Sequence, residues 1–337
     1  MAVASPAAGY FTILLKTLFS YAKRFAGPLM RISLGLVLLW IGWQDLLDPR
    51  VVVNLLSMSL PFLASTQLVH ALKVLEIVAG ILLIADLWVR YVALASLALF
   101  AGTLTIFVIA PGVTEFPVLS LMGQFLLKDT VLASVAISLM ASDAAGQQAK
   151  LAARSRLTSQ SEKPAVRPYQ RIAAKTSATF HPLFTFAEPI AGPLLRISLG
   201  AVLLWIGCIQ LVEPQTMIVL LSQSLPFLAF NAFIYLLGGL EVIGGILLLA
   251  GHWIRYVALL CLPLFAGTLT ILVITPGMTG FPLPLTLMGQ FILKDTVLAS
   301  AAIALIARDA ASHEARLARC THRDRNDAHQ SGRGRFR

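Results

Sequence analysis

Eight stretches of about 20 mostly apolar residues run through this 337-residue chain. A helix of about 20 residues crosses the roughly 30 Å hydrocarbon core of a bilayer, because each residue adds about 1.5 Å. We predict spans at 28–47, 66–86, 90–110, 119–140, 193–212, 231–251, 255–275 and 288–307. Composition agrees, since 58% of the residues are hydrophobic, only 12% are charged and the mean hydropathy is +0.82. Such a chain belongs in a membrane.

The chain is also an internal duplication. Sliding the sequence against itself by 165 positions shows that about 54 of the 90 residues from 28–117 are identical to 193–282. One inserted residue then moves the offset to 166, where LMGQFLLKDTVLAS (121–134) matches LMGQFILKDTVLAS (287–300). Self-similarity at a fixed offset indicates one structural unit that occurs twice. We therefore predict an all-α fold, a polytopic membrane protein of two parallel tandem four-helix transmembrane bundles with eight spans.

This duplication divides the chain into five segments. The repeats, 28–140 and 193–307, are joined by a basic linker, 141–192. We expect residues 1–27 to form an amphipathic cytoplasmic segment that lies on the bilayer surface. Residues 308–337 are low in aromatics and rich in arginine, which predicts a disordered cytoplasmic tail.

The distribution of lysine and arginine predicts the orientation. The linker holds seven basic residues and the tail eight arginines, whereas the loops after spans 1 and 3 of both repeats contain only Arg50. Basic residues favour the cytoplasmic side of a membrane, so both termini and the linker are expected there. Most of the formal charge of +10 lies in these two segments. We therefore expect contacts with anionic lipid headgroups, and no binding of nucleic acid.

Ionisable side chains inside a span cost roughly 3 kcal/mol each on insertion scales, and so they mark candidate functional sites. The candidate intramembrane polar cluster comprises Glu76, Gln124, Lys128, Asp129, Glu241, Gln290, Lys294 and Asp295. Spans 2 and 4 enter the membrane from the same side, and Glu76 and Lys128 both fall about 15 Å along them. We therefore predict a Glu76–Lys128 contact in the first repeat and a Glu241–Lys294 contact in the second.

The remaining members of this cluster are placed by helix geometry. Gln124 lies one turn from Lys128 on the same helix face, and Gln290 repeats that arrangement beside Lys294. Asp129 lies about 100° round the helix from Lys128 and is expected to face another neighbour. A buried ion pair can fix which helices pack together, or it can take part in transport or redox chemistry. The sequence leaves both interpretations open.

Four other polar positions differ between the repeats. Asp45, His70, Lys73 and Asp86 are replaced by Gln210, Tyr235, Gly238 and Gly251. No function that requires those groups can therefore be common to both repeats. The three cysteines form no zinc-binding spacing, and the spans contain no pair of histidines at ligand spacing. The sequence thus indicates no metal site, no catalytic residues and no evident cofactor.

Two further patterns concern packing. Glycines recur in spans 2 and 3, as Gly80 with Gly245 and Gly102 with Gly267, and predict close approach of neighbouring helices. The loop SLPFLA occurs in both repeats and is apolar for an external loop. We expect it to return toward the bilayer and cap each bundle.

Several motifs together resemble the YkgB-type inner-membrane proteins. They are RISLGLVLLWIG at the start of span 1, the PF loop, a glutamate in a glycine-rich second span, PG after span 3 and GQFLLKD in span 4. That group includes the reactive-chlorine-resistance membrane protein and is related to the DoxX superfamily. The resemblance implies a bacterial inner-membrane protein linked to oxidative or chlorine stress. Because such proteins usually carry one four-helix unit, the two repeats here are expected to pair within one polypeptide.

Two functional hypotheses follow. The first is a non-enzymatic membrane protein of the stress response, either a scaffold or a small-solute or proton pathway built on Glu76/Lys128 and Glu241/Lys294. The second is a DoxX-like, quinone-interacting membrane subunit that docks a soluble redox partner. The chain has no haem, flavin or iron–sulfur motif, which favours the first hypothesis.

Overall fold

The computed structural model describes residues 6–115, 118–158 and 168–333. Within these ranges, eight helices are long and apolar enough to cross a membrane, as predicted. The helices in chain order are α1 (Pro6–Leu47), α2 (Arg50–Ser59), α3 (Thr66–Ile84), α4 (Val89–Ile109), α5 (Pro111–Thr114), α6 (Leu121–Thr158), α7 (Pro168–Val212), α8 (Pro214–Ser224), α9 (Asn231–Ala250), α10 (Ile254–Ile274), α11 (Pro276–Thr279), α12 (Leu287–Leu293) and α13 (Asp295–Arg333). The fold is all-α, and α12 with α13 forms the eighth span.

The helices at both ends of each repeat are longer than the predicted spans. From Pro6 onward the N-terminal segment is continuous with the first span, because α1 continues through Pro28 without a break. The tail is helical as far as Arg333, so the prediction of a disordered tail was wrong over that range. Alanine and arginine, which are frequent there, are among the strongest helix formers. The Nζ of Lys23 on α1 also lies 2.5 Å from the Oε2 of Glu314 on α13.

The two repeats share one hydrophobic core. Within the first repeat α1 packs on α3 and α4 on α6, and the second repeat pairs α7 with α9 and α10 with α13. Between the repeats, α1 packs along α13 and α6 along α7. Fully buried side chains from both repeats, including Leu34, Val131, Leu195 and Val297, belong to the same cluster. The two predicted four-helix bundles are therefore interlocked through their first and fourth spans.

Serine pairs show that the repeats exchange equivalent contacts. The Ser33 hydroxyl donates to the Ser300 hydroxyl at 2.8 Å, and the hydroxyls of Ser134 and Ser198 are also 2.8 Å apart. Ser33 is equivalent to Ser198 in the duplication, and Ser134 to Ser300. Each contact therefore has its counterpart with the repeats interchanged. This is the pattern of an isologous dimer, here formed within one chain.

The predicted glycine contacts are present at two positions. A Cβ on Gly80 would lie 2.6 Å from the carbonyl oxygen of Gly35, so α3 and α1 touch backbone to backbone. Gly245 meets α7 in the same way, which confirms the predicted close approach. At Gly102 and Gly267, in contrast, a Cβ would meet no atom within 4 Å. The prediction of a tight contact was wrong there, because both glycines line cavities instead.

Candidate functional site

Two buried ion pairs cross between the repeats at the centre of the molecule. Lys128 Nζ lies 2.6 Å from Asp295 Oδ1, and Lys294 Nζ lies 2.6 Å from Asp129 Oδ1. All four side chains are at most 4% exposed. Each fourth span presents one lysine and one aspartate to the other, so the charges of both spans are matched. We call these four residues the crossed pairs.

The predicted contacts of these lysines with glutamates of their own repeats are not formed. Glu76 is hydrogen-bonded to Lys73 and Glu241 to Gln210, so the predictions of Glu76–Lys128 and Glu241–Lys294 pairs were wrong. The physical reason is the interlocked packing, which brings α6 against the second repeat. An aspartate of that repeat therefore lies nearer to Lys128 than Glu76 does. The expectation that Asp129 faces a different neighbour from Lys128 was also wrong, because both side chains pair with the fourth span of the other repeat.

Each central lysine has further partners. Lys128 Nζ donates to the carbonyl oxygen of Phe291 at 3.1 Å and lies 3.3 Å from the centre of that ring. Lys294 repeats both contacts with Phe125, at 3.1 and 3.2 Å. An ammonium has three donors, and here a carboxylate, a carbonyl and an aromatic face surround it. These contacts compensate for the loss of water around the buried charge.

A cavity of about 320 Å³ lies beside the crossed pairs in the first half of the molecule. Its walls are mainly leucine, valine, isoleucine and phenylalanine side chains. The charged and amide side chains that line it are Asp45, Lys73, Glu76, Asp129, Gln290 and Lys294. Gln290 and Lys294 belong to the second repeat, so this first cavity is completed by the other half of the chain.

Three of these residues form a network within the first repeat. Lys73 Nζ lies 2.9 Å from Asp45 Oδ2 and 3.0 Å from each oxygen of Glu76. The ammonium therefore bridges α3 and α1. Asp45 and Lys73 were not among the predicted site residues. Both are ionisable residues inside predicted spans, and the rule that selected Glu76 would also have found them.

A second cavity of about 260 Å³ occupies the equivalent place in the other half. Its walls are again mostly apolar, and its charged or amide residues are Lys128, Gln210, Glu241 and Asp295. Here Gln210 Nε2 donates to Glu241 Oε2 at 3.0 Å. Lys128 comes from the first repeat, so each lysine of the crossed pairs lines the cavity of the opposite repeat's glutamate.

The two predicted glutamine positions are not equivalent in the structure. Gln290 lines the first cavity together with Lys294. Gln124 instead donates from Nε2 to the carbonyl oxygen of Leu119, at 3.1 Å, and lines neither of the two cavities. Of the two, only Gln290 therefore adds to the polar part of a cavity.

The SLPFLA segment contributes to the wall of each cavity, and its return toward the bilayer stays a prediction. It forms a 3₁₀ turn at Pro61–Leu63, and Leu60 and Leu63 contribute to the wall of the first cavity. Leu225 and Leu228 do the same in the second. Two leucines of each apolar segment therefore face a cavity.

Each cavity also reaches the outer surface of the helix bundle along the third span of its repeat. Ala98 and Gly102 line the first cavity and are exposed on α4. Pro263, the counterpart of Ala98, is exposed on α10 and lines the second cavity. Apolar helices on that surface would face lipid in a membrane. An amphiphilic molecule could therefore enter from the bilayer and place its polar end against the buried charges.

The described part of the chain contains no group of three histidine, cysteine, aspartate or glutamate side chains that could hold a metal ion. The cavities instead offer carboxylates, ammoniums and amides at the end of an apolar space. Such groups can bind a polar head or exchange a proton.

Comparison with known proteins relates part of this architecture to a family. No curated protein and no solved structure is significantly similar to the chain. The family model described as DoxX matches residues 27–110, which contain α2, α3, α4 and most of the first span. Asp45, Lys73 and Glu76 lie inside this match. The first repeat of this eight-span membrane protein therefore carries a DoxX domain.

Proposed function

We propose that the whole chain is a non-enzymatic member of the DoxX superfamily and that its two cavities form a small-solute or proton pathway. The second repeat shares about 54 of 90 aligned residues with the first, which supports extending the family to it. We place the protein in a bacterial inner membrane with both termini and the linker in the cytoplasm. Its physiological role in this proposal is the response to oxidative or reactive-chlorine stress.

One observation carries the pathway. The glutamate of each second span lines a cavity together with the lysine of a crossed pair from the other repeat. In a purely structural ion-pair network, these groups would be sealed in close packing. Here Glu76 and Glu241 instead adjoin open space in an apolar environment, where electrostatic interactions are strong. A scaffold role gives no reason for such cavities in both repeats.

The test is growth under hypochlorous acid of a strain that lacks the gene. Wild type is expected to restore growth, whereas the cavity-filling variant G102L/G267L is not. Neither leucine meets a neighbouring atom at its Cβ, so both should fold while they occupy the cavities. The matched control is A101L/A266L, which adds leucine at the adjacent, exposed positions outside the cavity walls.

Immunoblots of membranes establish that each variant is inserted in equal amount. Full rescue by inserted G102L/G267L would show that the cavities are not used. Full rescue of growth by E76Q/E241Q would show that the pathway does not need the two glutamate carboxylates. If the deletion strain grows as wild type does under hypochlorous acid, the stress role is wrong.

A quinone-interacting subunit of a redox complex is the second candidate function. The opening of the first cavity beside Ala98 and Gly102 favours it, because a quinone reaches its site through the lipid. Its apolar tail would lie along the cavity wall and its polar ring near Glu76. A soluble catalytic partner would then dock on the protein, since no haem, flavin or iron–sulfur motif occurs in this chain.

This alternative is tested with decylubiquinone added to the purified protein in nanodiscs. Saturable binding that G102L/G267L abolishes and A101L/A266L retains would support it. Binding that is equal in all three proteins would indicate simple partition into lipid and would refute the alternative.

A further inference from the structure

The two cavities differ at the position of one positive charge. In the first repeat, the Lys73 ammonium lies between Asp45 and Glu76. The equivalent residues in the second repeat are Gly238, Gln210 and Glu241. Gly238 has no side chain, so α9 supplies no cation to its own cavity.

The polar groups left in the second cavity are mainly acceptors. Glu241 accepts one hydrogen bond, from Gln210 Nε2 to its Oε2. Gln210 is only 4% exposed, and its Oε1 is buried without a hydrogen-bond partner. An unpaired buried amide oxygen is unfavourable because it has lost its water, so a donor at this place would stabilise the protein.

The other charges of this cavity are already matched. Lys128 and Asp295 form one of the crossed pairs at 2.6 Å. Of the charged residues that line the second cavity in the described structure, only Glu241 has no partner of opposite charge within ion-pair distance. The cavity therefore offers one uncompensated carboxylate next to one free amide oxygen, under apolar walls.

We propose that the second cavity binds a small organic cation, a primary ammonium with a short apolar tail, between Glu241 and the Oε1 of Gln210. The ammonium takes the place that the Lys73 ammonium occupies in the first cavity. The apolar tail lies against leucine and isoleucine side chains of the wall, such as Leu203 and Ile206. The first cavity carries its cation on the chain and binds none at the equivalent place. This inference rests on the proposal that the cavities take up solutes.

The experiment measures binding of n-hexylammonium to the purified full-length protein in nanodiscs by calorimetry, with empty nanodiscs subtracted. We expect one site per chain. 1-Hexanol and hexanoate are the probes of matched tail length, and both should bind at least tenfold more weakly. E241Q, which keeps the number of non-hydrogen atoms, should weaken hexylammonium binding at least tenfold, since it removes the charge-assisted hydrogen bond. E76Q is the matched control and should leave the binding unchanged.

Two exchanges between the repeats sharpen the test. G238K supplies the lysine of the first repeat and should abolish the site. Its Cβ would lie 3.0 Å from the carbonyl oxygen of Gly207, so folding is checked by size-exclusion chromatography. D45Q/K73G gives the first cavity the residues of the second and should raise the stoichiometry to two.

Several outcomes overturn the inference. Equal binding of 1-hexanol and hexylammonium would show that Glu241 carries a proton and that the cavity takes neutral solutes, which leaves the proposed pathway intact. If E76Q weakens hexylammonium binding and E241Q does not, the cation binds in the first cavity and not in the second. If no probe binds, the cation site does not exist, and growth under hypochlorous acid then decides the proposed function separately.

Discussion

Breaking one crossed pair should destabilise the protein strongly, whereas removing both partners should not. In D295N the Lys128 ammonium loses its carboxylate but keeps the carbonyl oxygen and ring of Phe291. Removing one partner of a buried pair costs about 3–5 kcal/mol. Because these other contacts and the asparagine oxygen remain, we expect a value near the lower limit, about 3 kcal/mol.

The double variant K128M/D295L replaces both charges with apolar side chains of similar size. We expect its free energy of unfolding to lie within about 1 kcal/mol of wild type, since apolar replacement of a buried pair is often neutral. The assay is unfolding of the purified protein by sodium dodecyl sulfate in mixed micelles, followed by circular dichroism. D129N and K294M/D129L form the equivalent set for the other pair and should give the same result.

A double-mutant cycle measures whether Lys128 and Asp295 interact. In the cycle of K128M, D295N and K128M/D295N, we expect a coupling free energy of about 2 kcal/mol. Additive effects of K128M and D295N would show that the two groups do not interact. Coupling of K128M to E76Q in place of D295N would restore the contact within one repeat that the sequence suggested.

Three further predictions use thermal unfolding of the purified protein in detergent. G245A should lower the free energy of unfolding by about 1–3 kcal/mol, because its Cβ would lie 2.6 Å from a backbone nitrogen of α7. The Cβ of G267A would meet no atom within 4 Å, so this variant should change the free energy of unfolding by less than about 1 kcal/mol. Equal effects of the two variants would contradict the packing. K73G should lower the free energy of unfolding by about 3 kcal/mol, because it leaves the carboxylates of Asp45 and Glu76 without their cation. D45Q/K73G should regain at least about 1 kcal/mol of this loss, and no regain would contradict the network. E314Q should change stability by less than about 1 kcal/mol, since its carboxylate is mostly exposed, and a larger loss would show that α13 is anchored there.

The spans could be predicted from the sequence because length and hydropathy alone determine which helices cross a bilayer. The close contacts at Gly80 and Gly245 could also be predicted, since small residues in spans allow backbones to touch. The continuation of α13 through the tail could not be inferred from low aromatic content. Composition of that kind also occurs in helices that extend beyond the membrane.

Sequence reasoning selected the four residues of the crossed pairs, but it paired their lysines with the wrong carboxylates. Depth along the helices placed Glu76 and Lys128 at the same level, yet depth does not determine which way a side chain points across a bundle. The duplication itself carried a clue, because Lys128 and Asp129 are repeated as Lys294 and Asp295. When two equivalent repeats pack against each other, the lysine of each can pair with the aspartate of the other. A comparison of residues within one repeat does not show this pairing.

Cross-linking between the repeats tests the interlocked arrangement most directly. In a cysteine-free background with a protease site between Thr158 and Pro168, the pair S33C/S300C should form a disulfide, since the serine hydroxyls are 2.8 Å apart. After proteolysis, the two halves should then run as one band on a non-reducing denaturing gel and separate on reduction. If S33C instead cross-links with S134C inside its own repeat, and the S33C/S300C halves separate without reduction, the two bundles are independent and the account is wrong.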